Sequence, residues 1–408
     1  MRSSFTSTGM GCVLAATLSV FAAGRVDAQQ NPGQAYNSQS FYKYSLSQLS
    51  GMFQSQLQSA SQSPEDYVVG KFKDHDIVFL GEGPHQVRQN LEFLQSLLPR
   101  LYAAGVRNLA YEMIRGELQG KVDQLLNAPQ YDESLATDLV MDWNDRFGFQ
   151  EYRDVLRVAW EINSRLPKGA PRFRVVALDY PTVPLDWSGL RPGEKGGDTS
   201  AIQRNLGVKE RDMRWAEAIE KEILRKDEKA LVYAGAGHTS VRFHWDRFPN
   251  NHNQRRAGNI IQGYIGDRVC GISLHGIELP TETAMVERLL GPGYGSGRRF
   301  GIDLKPGTPF GDIPSSKPGF LGKTQDRPGR SGGFTLADVT DGYVFLGPVT
   351  EWKMVRRIEG AYTPARVREI NRRRQVEEGD RTKVWTVADL EKEAEADDLE
   401  WRSFFENQ

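Results

Sequence analysis

The sequence contains little cysteine and little net charge. Two cysteines occur in 408 residues, and the formal net charge is −1. A small scaffold held by several disulfide bonds is therefore excluded. A charge balance this close to zero gives no basis for binding nucleic acid or an anionic membrane, since both need an excess of lysine and arginine. With 39% hydrophobic residues, the chain is expected to be stabilised by its core.

Two common metal-binding signatures are absent as well. No His-Glu-x-x-His and no Cys-x-x-Cys motif occurs in the chain, so the zinc proteases and thiolate zinc sites that these motifs identify lose support. Cys270 lies in the apolar run Val269–Ile272. An inert, buried thiol is the favoured interpretation of this residue.

The first residues have the pattern of a secretory signal peptide. Arg2 precedes an apolar run over Gly11–Gly24, and Val26-Asp27-Ala28 resembles a small-residue cleavage site. The run is too short for a typical membrane span, so cleavage is favoured over anchoring. We therefore expect export to the periplasm or the extracellular space, and no transmembrane segment after cleavage.

Short apolar runs alternate with helical patterns along most of the chain. This alternation is typical of βαβ units and predicts an α/β fold with a mostly parallel central sheet flanked by helices. Two long Gly/Pro-rich insertions interrupt it, and their composition suggests lids or loops. The predicted strands lie at residues 76–80, 106–111, 173–178, 230–234, 269–274 and 341–346, and the insertions at residues 181–207 and 291–333.

Composition divides the chain into four predicted segments. The segment before the α/β pattern is rich in Gln and Ser and is expected to be flexible or to form a loosely attached helix. The segment after it is basic at Arg366–Arg374 and acidic at Glu391–Glu400, and it is expected to be a solvated, internally paired helical tail. The predicted segments are a signal peptide (1–28), the Gln/Ser-rich segment (29–65), a single α/β domain (66–360) and the charged tail (361–408).

Ionisable residues follow four of the predicted strands. Glu82, Glu112, Asp179 and His238 each come just after an apolar run, and His85 lies in the turn that Glu82 opens. The carboxyl ends of strands in an open α/β sheet are where ligands bind. An apolar strand needs none of these groups for packing. The pattern therefore predicts an enzyme active site or a binding site at this edge of the sheet.

Two glycine turns carry the histidines. His85 ends the segment Gly81–His85, and His238 ends the segment Gly235–His238. Small residues in such turns allow close backbone approach. A single histidine of this kind is as often structural as functional, but two equivalent turns together with the strand-end acids favour function. A structural role is the better interpretation for the other histidines, His75, His244, His252 and His275.

The order of these elements resembles the superfamily that joins Tiki-type proteases, erythromycin esterases, TraB-like proteins and ChaN-like haem-binding uptake proteins. The resemblance covers roughly residues 67–276. The segments that carry it are Leu80–His85, Tyr111-Glu112, Trp160–Asn163, Val176–Asp179, Glu210–Asp212 and Ala234–His238.

The resemblance implies that Glu82, His85, Glu112 and His238 are the site residues. One departure from the family pattern concerns spacing: three residues lie between Gly81 and His85, where Tiki and ChaN patterns have two. This spacing is closer to the erythromycin-esterase branch and weakens a Tiki-like metal geometry. The tyrosine expected of a haem-binding relative is not assignable, and Tyr111 and Tyr180 are positional candidates only.

Two functions are compatible with these residues. The first is a hydrolase that cleaves an ester, lactone or amide bond of a small-molecule or peptide substrate. His85 would be the general base, Glu82 or Glu112 its partner, and His238 the group that stabilises the oxyanion or protonates the leaving group. Asp179 and Arg211 would support these residues, with Asp179 orienting His238 or Arg211.

A metal-dependent variant of the hydrolase places a divalent ion (Mn, Fe, Co or Zn) on His85, Glu112 and His238. The second function is non-catalytic binding of haem or iron in the same cleft for uptake. A third interpretation, a fold kept for scaffolding alone, predicts that the 291–333 loop fills the cleft.

Overall fold

The structure, a computed structural model, describes residues 43–180, 199–245, 255–276, 280–291, 297–315, 319–321, 335–377 and 384–406. The predicted signal peptide and residues 29–42 of the Gln/Ser-rich segment lie outside this range, as does His252. Parts of both predicted insertions, residues 181–198 and 322–334, lie outside it too.

A seven-stranded sheet forms the centre of the molecule, in the order β3-β2-β4-β1-β6-β9-β7. Neighbouring strands are parallel except β7, which runs antiparallel to β9. Strands β5 and β8 form a separate antiparallel pair. The strands are β1 (Ile77–Glu82), β2 (Asn108–Arg115), β3 (Arg174–Asp179), β4 (Ala230–Gly235), β5 (Phe243–Trp245), β6 (Val269–Leu274), β7 (Phe300–Asp303), β8 (Gly319–Leu321) and β9 (Gly342–Phe345).

Helices cover both faces of this sheet, which confirms the predicted α/β class. The α-helices of the described residues are α1 (Leu46–Ala60), α2 (Pro64–Lys71), α3 (Arg88–Ala103), α4 (Gln119–Asn127), α5 (Glu133–Trp143), α6 (Gln150–Ser164), α7 (Thr199–Glu222), α8 (Ala257–Ile265), α9 (Pro280–Leu290), α10 (Leu336–Val339), α11 (Pro364–Glu377) and α12 (Val387–Glu406). Within the described part of the chain, none of them is long and apolar enough to span a bilayer.

Alternate residues of the central strands pack into two apolar cores, one on each face of the sheet. Val78 and Leu80 of β1 pack on the face covered by α2 to α6, whereas Ile77 and Phe79 pack on the face covered by α7 and α8. This alternation follows from the two-residue repeat of a strand. A third apolar cluster lies at the β7 end of the sheet, under α1, α9 and α10.

Strands β1 and β2 are longer than predicted at the carboxyl edge of the sheet, where the candidate site residues lie. Strand β1 extends through Glu82, and β2 extends past Glu112 to Arg115. Both glutamates are therefore strand residues rather than residues just after a strand. Polar residues continue these strands because their backbone still pairs with the neighbouring strands, for example Glu82 with Gly235. Helix α3 continues through Pro99 to Ala103.

Helix α1 is packed more tightly than the sequence suggested. Ser45 caps it, and Leu49, Phe53 and Leu57 form one buried stripe at helical spacing. The Phe53 ring stacks on Phe310 at a centroid distance of 4.4 Å. The Gln and Ser residues that made this segment look flexible cover the outer face of a core helix.

The predicted 291–333 loop and the predicted solvated tail also contribute to the core. Residues 300–303 form β7 at the edge of the sheet, which corrects the loop prediction for this stretch. In the tail, Val367, Ile370, Leu390 and Ala394 are buried in the same cluster as α3 and α6. Charged side chains of α11 and α12 pair with each other, as predicted, and also with the α5–α6 connection through Asp145.

Candidate active site

The first part of the site is a carboxylate–imidazole pair at the end of β1. Glu82 Oε1 lies 2.8 Å from His85 Nδ1. The turn between them contains a cis Gly83-Pro84 peptide bond, and the backbone N–H of Ala236 donates to the Glu82 carbonyl oxygen at 2.7 Å. Gly81 permits this close approach, because a Cβ there would lie 2.4 Å from Thr239 Oγ1.

Two tyrosine hydroxyls hold the buried Glu82 carboxylate in place. The Tyr152 hydroxyl lies 2.9 Å from Oε1 and 2.6 Å from the His85 carbonyl oxygen, so its one hydrogen serves two acceptors. The Tyr233 hydroxyl donates to Oε2. Burial raises the pKa of Glu82 above its usual value by more than the contacts with His85 and the tyrosines lower it. Burial and the nearby Glu82 charge raise the pKa of both tyrosines well above the usual range. The tyrosines therefore stay protonated and act as hydrogen-bond donors.

The second part of the site is Glu112 with Arg211. Arg211, on α7, donates from Nη2 to Glu112 Oε1 at 2.8 Å and from Nε to Asp179 Oδ1 at 2.5 Å. The Gly235 N–H donates to Glu112 Oε2 at 2.6 Å. Burial alone would raise the pKa of Glu112, but the charges of Arg211, His238 and His85 outweigh it and hold the pKa below the usual value. Glu112 is therefore ionised and anchors Arg211.

The third part of the site is His238, in the turn after β4. Its Nδ1 lies 2.8 Å from Asp212 Oδ1, and its Nε2 lies 3.5 Å from Arg211 Nη1. The Trp215 ring packs against the imidazole at a centroid distance of 4.5 Å. His238 is therefore held by one helix, since Arg211, Asp212 and Trp215 all belong to α7.

Gly235 is the point where the parts meet. A Cβ on this residue would lie 3.2 Å from His85 Cε1, 3.5 Å from His85 Nε2 and 3.5 Å from Glu112 Oε2. The Cε1–Nε2 edge of the His85 ring and the Glu112 carboxylate therefore both lie next to Gly235. With Arg211 joining Glu112 to His238, the four residues predicted from the sequence form one continuous arrangement.

Aromatic side chains border this arrangement on the His85 side. Trp143 and Phe147 approach the His85 ring edge-on at centroid distances of 5.9 Å and 5.7 Å. They lie at the end of α5 and in the connection that follows it, and both are half-buried. His85 is thus next to an apolar surface, which suits an organic substrate group better than a bare ion.

The proposed metal ligands do not form a metal site. Among the described residues, no group of three or more His, Cys, Asp or Glu side chains is placed to hold an ion. The reason is visible in the contacts, because the Arg211 guanidinium occupies the position between Glu112 and His238 where a cation would bind. A fixed positive charge at that position disfavours a second one.

The tyrosines considered for haem binding are also poorly placed. Tyr111 is fully buried, and its hydroxyl donates to the Tyr152 carbonyl oxygen at 3.4 Å. Tyr180 packs against Gly116 and lies under Arg214 at 5.3 Å from the ring centroid. Neither side chain is directed at the Glu82–His85 pair by these contacts.

Four residues of the site were not predicted as site residues. Tyr152 and Tyr233 contact Glu82. Asp212 contacts His238, and Arg256 contacts Asp212. A tyrosine in an apolar strand or a helix is indistinguishable from a core residue in the sequence. Asp212 had a visible signal, since it directly follows Arg211 in the Glu210–Asp212 segment. Arg256 had none, as it lies in a polar stretch before α8.

The residues expected to be structural behave accordingly where they are described. Burial raises the pKa of the Cys270 thiol, which suits an inert group. His275 is buried between Tyr343 and Glu287, and burial lowers the pKa of this histidine. His75 donates from Nδ1–H to the Lys71 carbonyl oxygen at 2.8 Å, since a carbonyl oxygen can only accept.

Comparison with known proteins gives structural neighbours only. No family model and no curated protein matches the chain. A succinoglycan biosynthesis protein is 10% identical with a TM-score of 0.46, over 76% of this chain and 98% of that chain. A Bacillus cereus protein is 13% identical with a TM-score of 0.45, over 74% of this chain and 97% of that chain.

ChaN of Campylobacter jejuni, a protein with cofacial haem binding, is also among the neighbours. It is 14% identical with a TM-score of 0.36, over 52% of this chain and 86% of that chain. At such identities and TM-scores, these neighbours carry no information about the activity of this chain.

Proposed function

We propose that the protein is an exported hydrolase that cleaves an ester, lactone or amide bond. His85 takes a proton from the attacking water, and Glu82 holds the imidazole in place. The observation that carries the proposal is the 2.8 Å contact between Glu82 Oε1 and His85 Nδ1, with Glu82 fixed in turn by two tyrosine hydroxyls. A base aligned by a buried carboxylate contributes about 10² to 10⁴ in rate.

Two features account for substrate binding in this proposal: Arg211, and the aromatic wall formed by Trp143 and Phe147 beside His85. Arg211 keeps its Nη1 on the His238 side, where it can polarise a carbonyl oxygen, while its other nitrogens are held by Glu112 and Asp179. Trp143 and Phe147 pack beside His85 and suit an apolar group of the substrate. These contacts support a small organic or peptide substrate, as does the superfamily resemblance.

The test is turnover of a panel of esters, lactones and amides by the purified protein. We expect His85→Gln to lower kcat/KM by about 10² to 10⁴ on any substrate that the wild type cleaves, because it removes the general base. His75→Gln is the matched control, since it changes a histidine that contacts the Lys71 carbonyl. Activity that survives His85→Gln would refute the proposal, and a Soret band on adding haem would favour the binding alternative.

A further inference from the structure

A second buried carboxylate–imidazole pair lies on the opposite side of Arg211 from the first. Asp212 is fully buried, and its Oδ1 lies 2.8 Å from His238 Nδ1. Arg211 and Asp212 are consecutive residues of α7, and neighbours on a helix point about 100° apart. One residue therefore reaches Glu112 and Asp179, and the other reaches His238.

Three donors from two segments fix the Asp212 carboxylate. Besides His238, the Ala257 N–H donates to Oδ1 at 2.9 Å, and Arg256 Nη1 donates to Oδ2 at 3.1 Å. Burial would raise the pKa of Asp212, but the charges and hydrogen bonds of His238 and Arg256 outweigh it and lower the pKa. A buried carboxylate held by this many donors is built for a fixed position and a fixed charge.

This environment determines which nitrogen of His238 carries the proton. An ionised carboxylate accepts hydrogen bonds only, so Nδ1 must bear a hydrogen to contact Asp212. The other nitrogen, Nε2, then faces Arg211 Nη1 at 3.5 Å, the long limit of a hydrogen bond. That weak contact can yield to a substrate atom, whereas the Asp212 contact cannot move.

We propose that Asp212 is the positioning residue of His238 and that it makes Nε2 the atom that delivers a proton to the leaving group. This inference rests on the proposed hydrolysis. The water oxygen bonds to the carbonyl carbon while His85 takes one water proton. His238 enters this step as the imidazolium, with hydrogens on both Nδ1 and Nε2. The bond to the leaving oxygen or nitrogen breaks with its electron pair on that atom, His238 gives it the Nε2 proton, and the ring is left neutral with its hydrogen on Nδ1. Solvent later takes the proton from His85 and returns one to His238.

The first experiment measures the tautomer of His238 by long-range ¹H–¹⁵N NMR, with the signal assigned from His238→Gln. In the wild type at a pH where His238 is neutral, we expect Nδ1 to carry the hydrogen. In Asp212→Asn this preference is expected to be lost. A wild-type ring protonated mainly at Nε2 would overturn the inference, and this result needs neither activity nor an Asp212 variant.

The second experiment compares two esters of the same acid, one with an activated phenol and one with an alkyl alcohol. A good leaving group needs no proton, so Asp212→Asn is expected to lower kcat by about 10² on the alkyl ester and by less than about threefold on the activated ester. Equal losses on both would overturn the inference. The control is Asp398→Asn, which removes another buried aspartate paired with an arginine, Arg357, and should affect both esters equally.

The two proposals fail in distinguishable ways. If the wild type cleaves no ester, lactone or amide, the hydrolase proposal fails, and the NMR result still decides whether Asp212 sets the His238 tautomer. A different result is that the wild type cleaves esters through His85 while Asp212→Asn lowers kcat equally for both leaving groups. In that case only the role of Asp212 is wrong.

Discussion

The two glutamates of the site have opposite charge preferences, although they lie on strands separated by only one other. Burial raises the pKa of Glu82, whereas Arg211 and the histidines lower the pKa of Glu112 against the effect of burial. Environments that shift the pKa values of two neighbouring carboxylates in opposite directions mark acid–base assignments. Glu112 serves as a permanent anion for Arg211, and Glu82 can share the proton of His85.

Gly235 tests whether the position of His85 matters. Gly235→Ala is expected to lower kcat about tenfold, because the new Cβ would lie 3.2 Å from His85 Cε1 and force the ring to move by a few tenths of an ångström. Gly237→Ala in the same turn is the control, since no atom lies within 4 Å of its Cβ position. Steady-state kinetics of both variants decide the question, and equal activities would contradict the proposed geometry.

At the scale of elements, helix α1 closes one end of the sheet. Its buried stripe packs on the cluster that contains Phe300, Phe310 and Tyr343, so the strands β7 and β9 are covered by a segment distant in sequence. The helix also donates from the Ser50 hydroxyl to the Leu289 carbonyl at the end of α9. The segment is thus part of the fold from at least Leu46 onward.

Phe53→Ala measures how much α1 contributes. We expect the free energy of unfolding to fall by about 3 to 5 kcal/mol, the usual cost of a Phe→Ala cavity in a core. The neighbouring Met52 is 40% exposed, so Met52→Ala should change stability by no more than about 0.5 kcal/mol. Urea denaturation of both variants gives the comparison. A loss below about 1 kcal/mol for Phe53→Ala would indicate the loosely attached helix that the sequence suggested.

At the scale of the whole molecule, the tail connects to the site through the α5–α6 connection. Arg374 of α11 donates to Asp145 from Nε at 2.7 Å and from Nη2 at 3.0 Å, and to Glu393 of α12 at 2.9 Å. The connection that holds Asp145 also carries Phe147, which packs on His85. The charged tail therefore supports the aromatic wall of the site.

Arg374→Ala is expected to destabilise the protein by about 2 to 3 kcal/mol, because it leaves two largely buried carboxylates without their main cation. The loss should be accompanied by a higher KM, as Phe147 loosens. Arg372→Ala is the matched control: its side chain is 67% exposed and pairs with Glu369 in the same helix, so its effect should stay within about 0.5 kcal/mol. Thermal unfolding and kinetics on the same samples would separate the two effects, and similar Tm values for both variants would contradict the role assigned to the tail.

The sequence by itself determined the α/β class, the strands that carry Glu82, Glu112 and Asp179, and the glycine turn that carries His238. These features are local, because strand periodicity, helix periodicity and glycine turns each depend on residues close together in the sequence. The same local signal allowed a helix at α1 and predicted helices in the tail, but it underestimated how far both are buried. Gln, Ser and charged residues dominate their composition, while a few apolar residues decide their packing.

Only the tertiary structure decided which residues meet. Strand β4 lies between β1 and β2, which brings Gly235 between His85 and Glu112. Tyr152 reaches Glu82 across 70 residues of sequence, and Asp212 reaches His238 across 26. Partners at such distances depend on strand order and helix packing, and no spacing within a single chain segment encodes them. The placement of Arg211 between Glu112 and His238, where it takes the position of a bound cation, is a consequence of that packing.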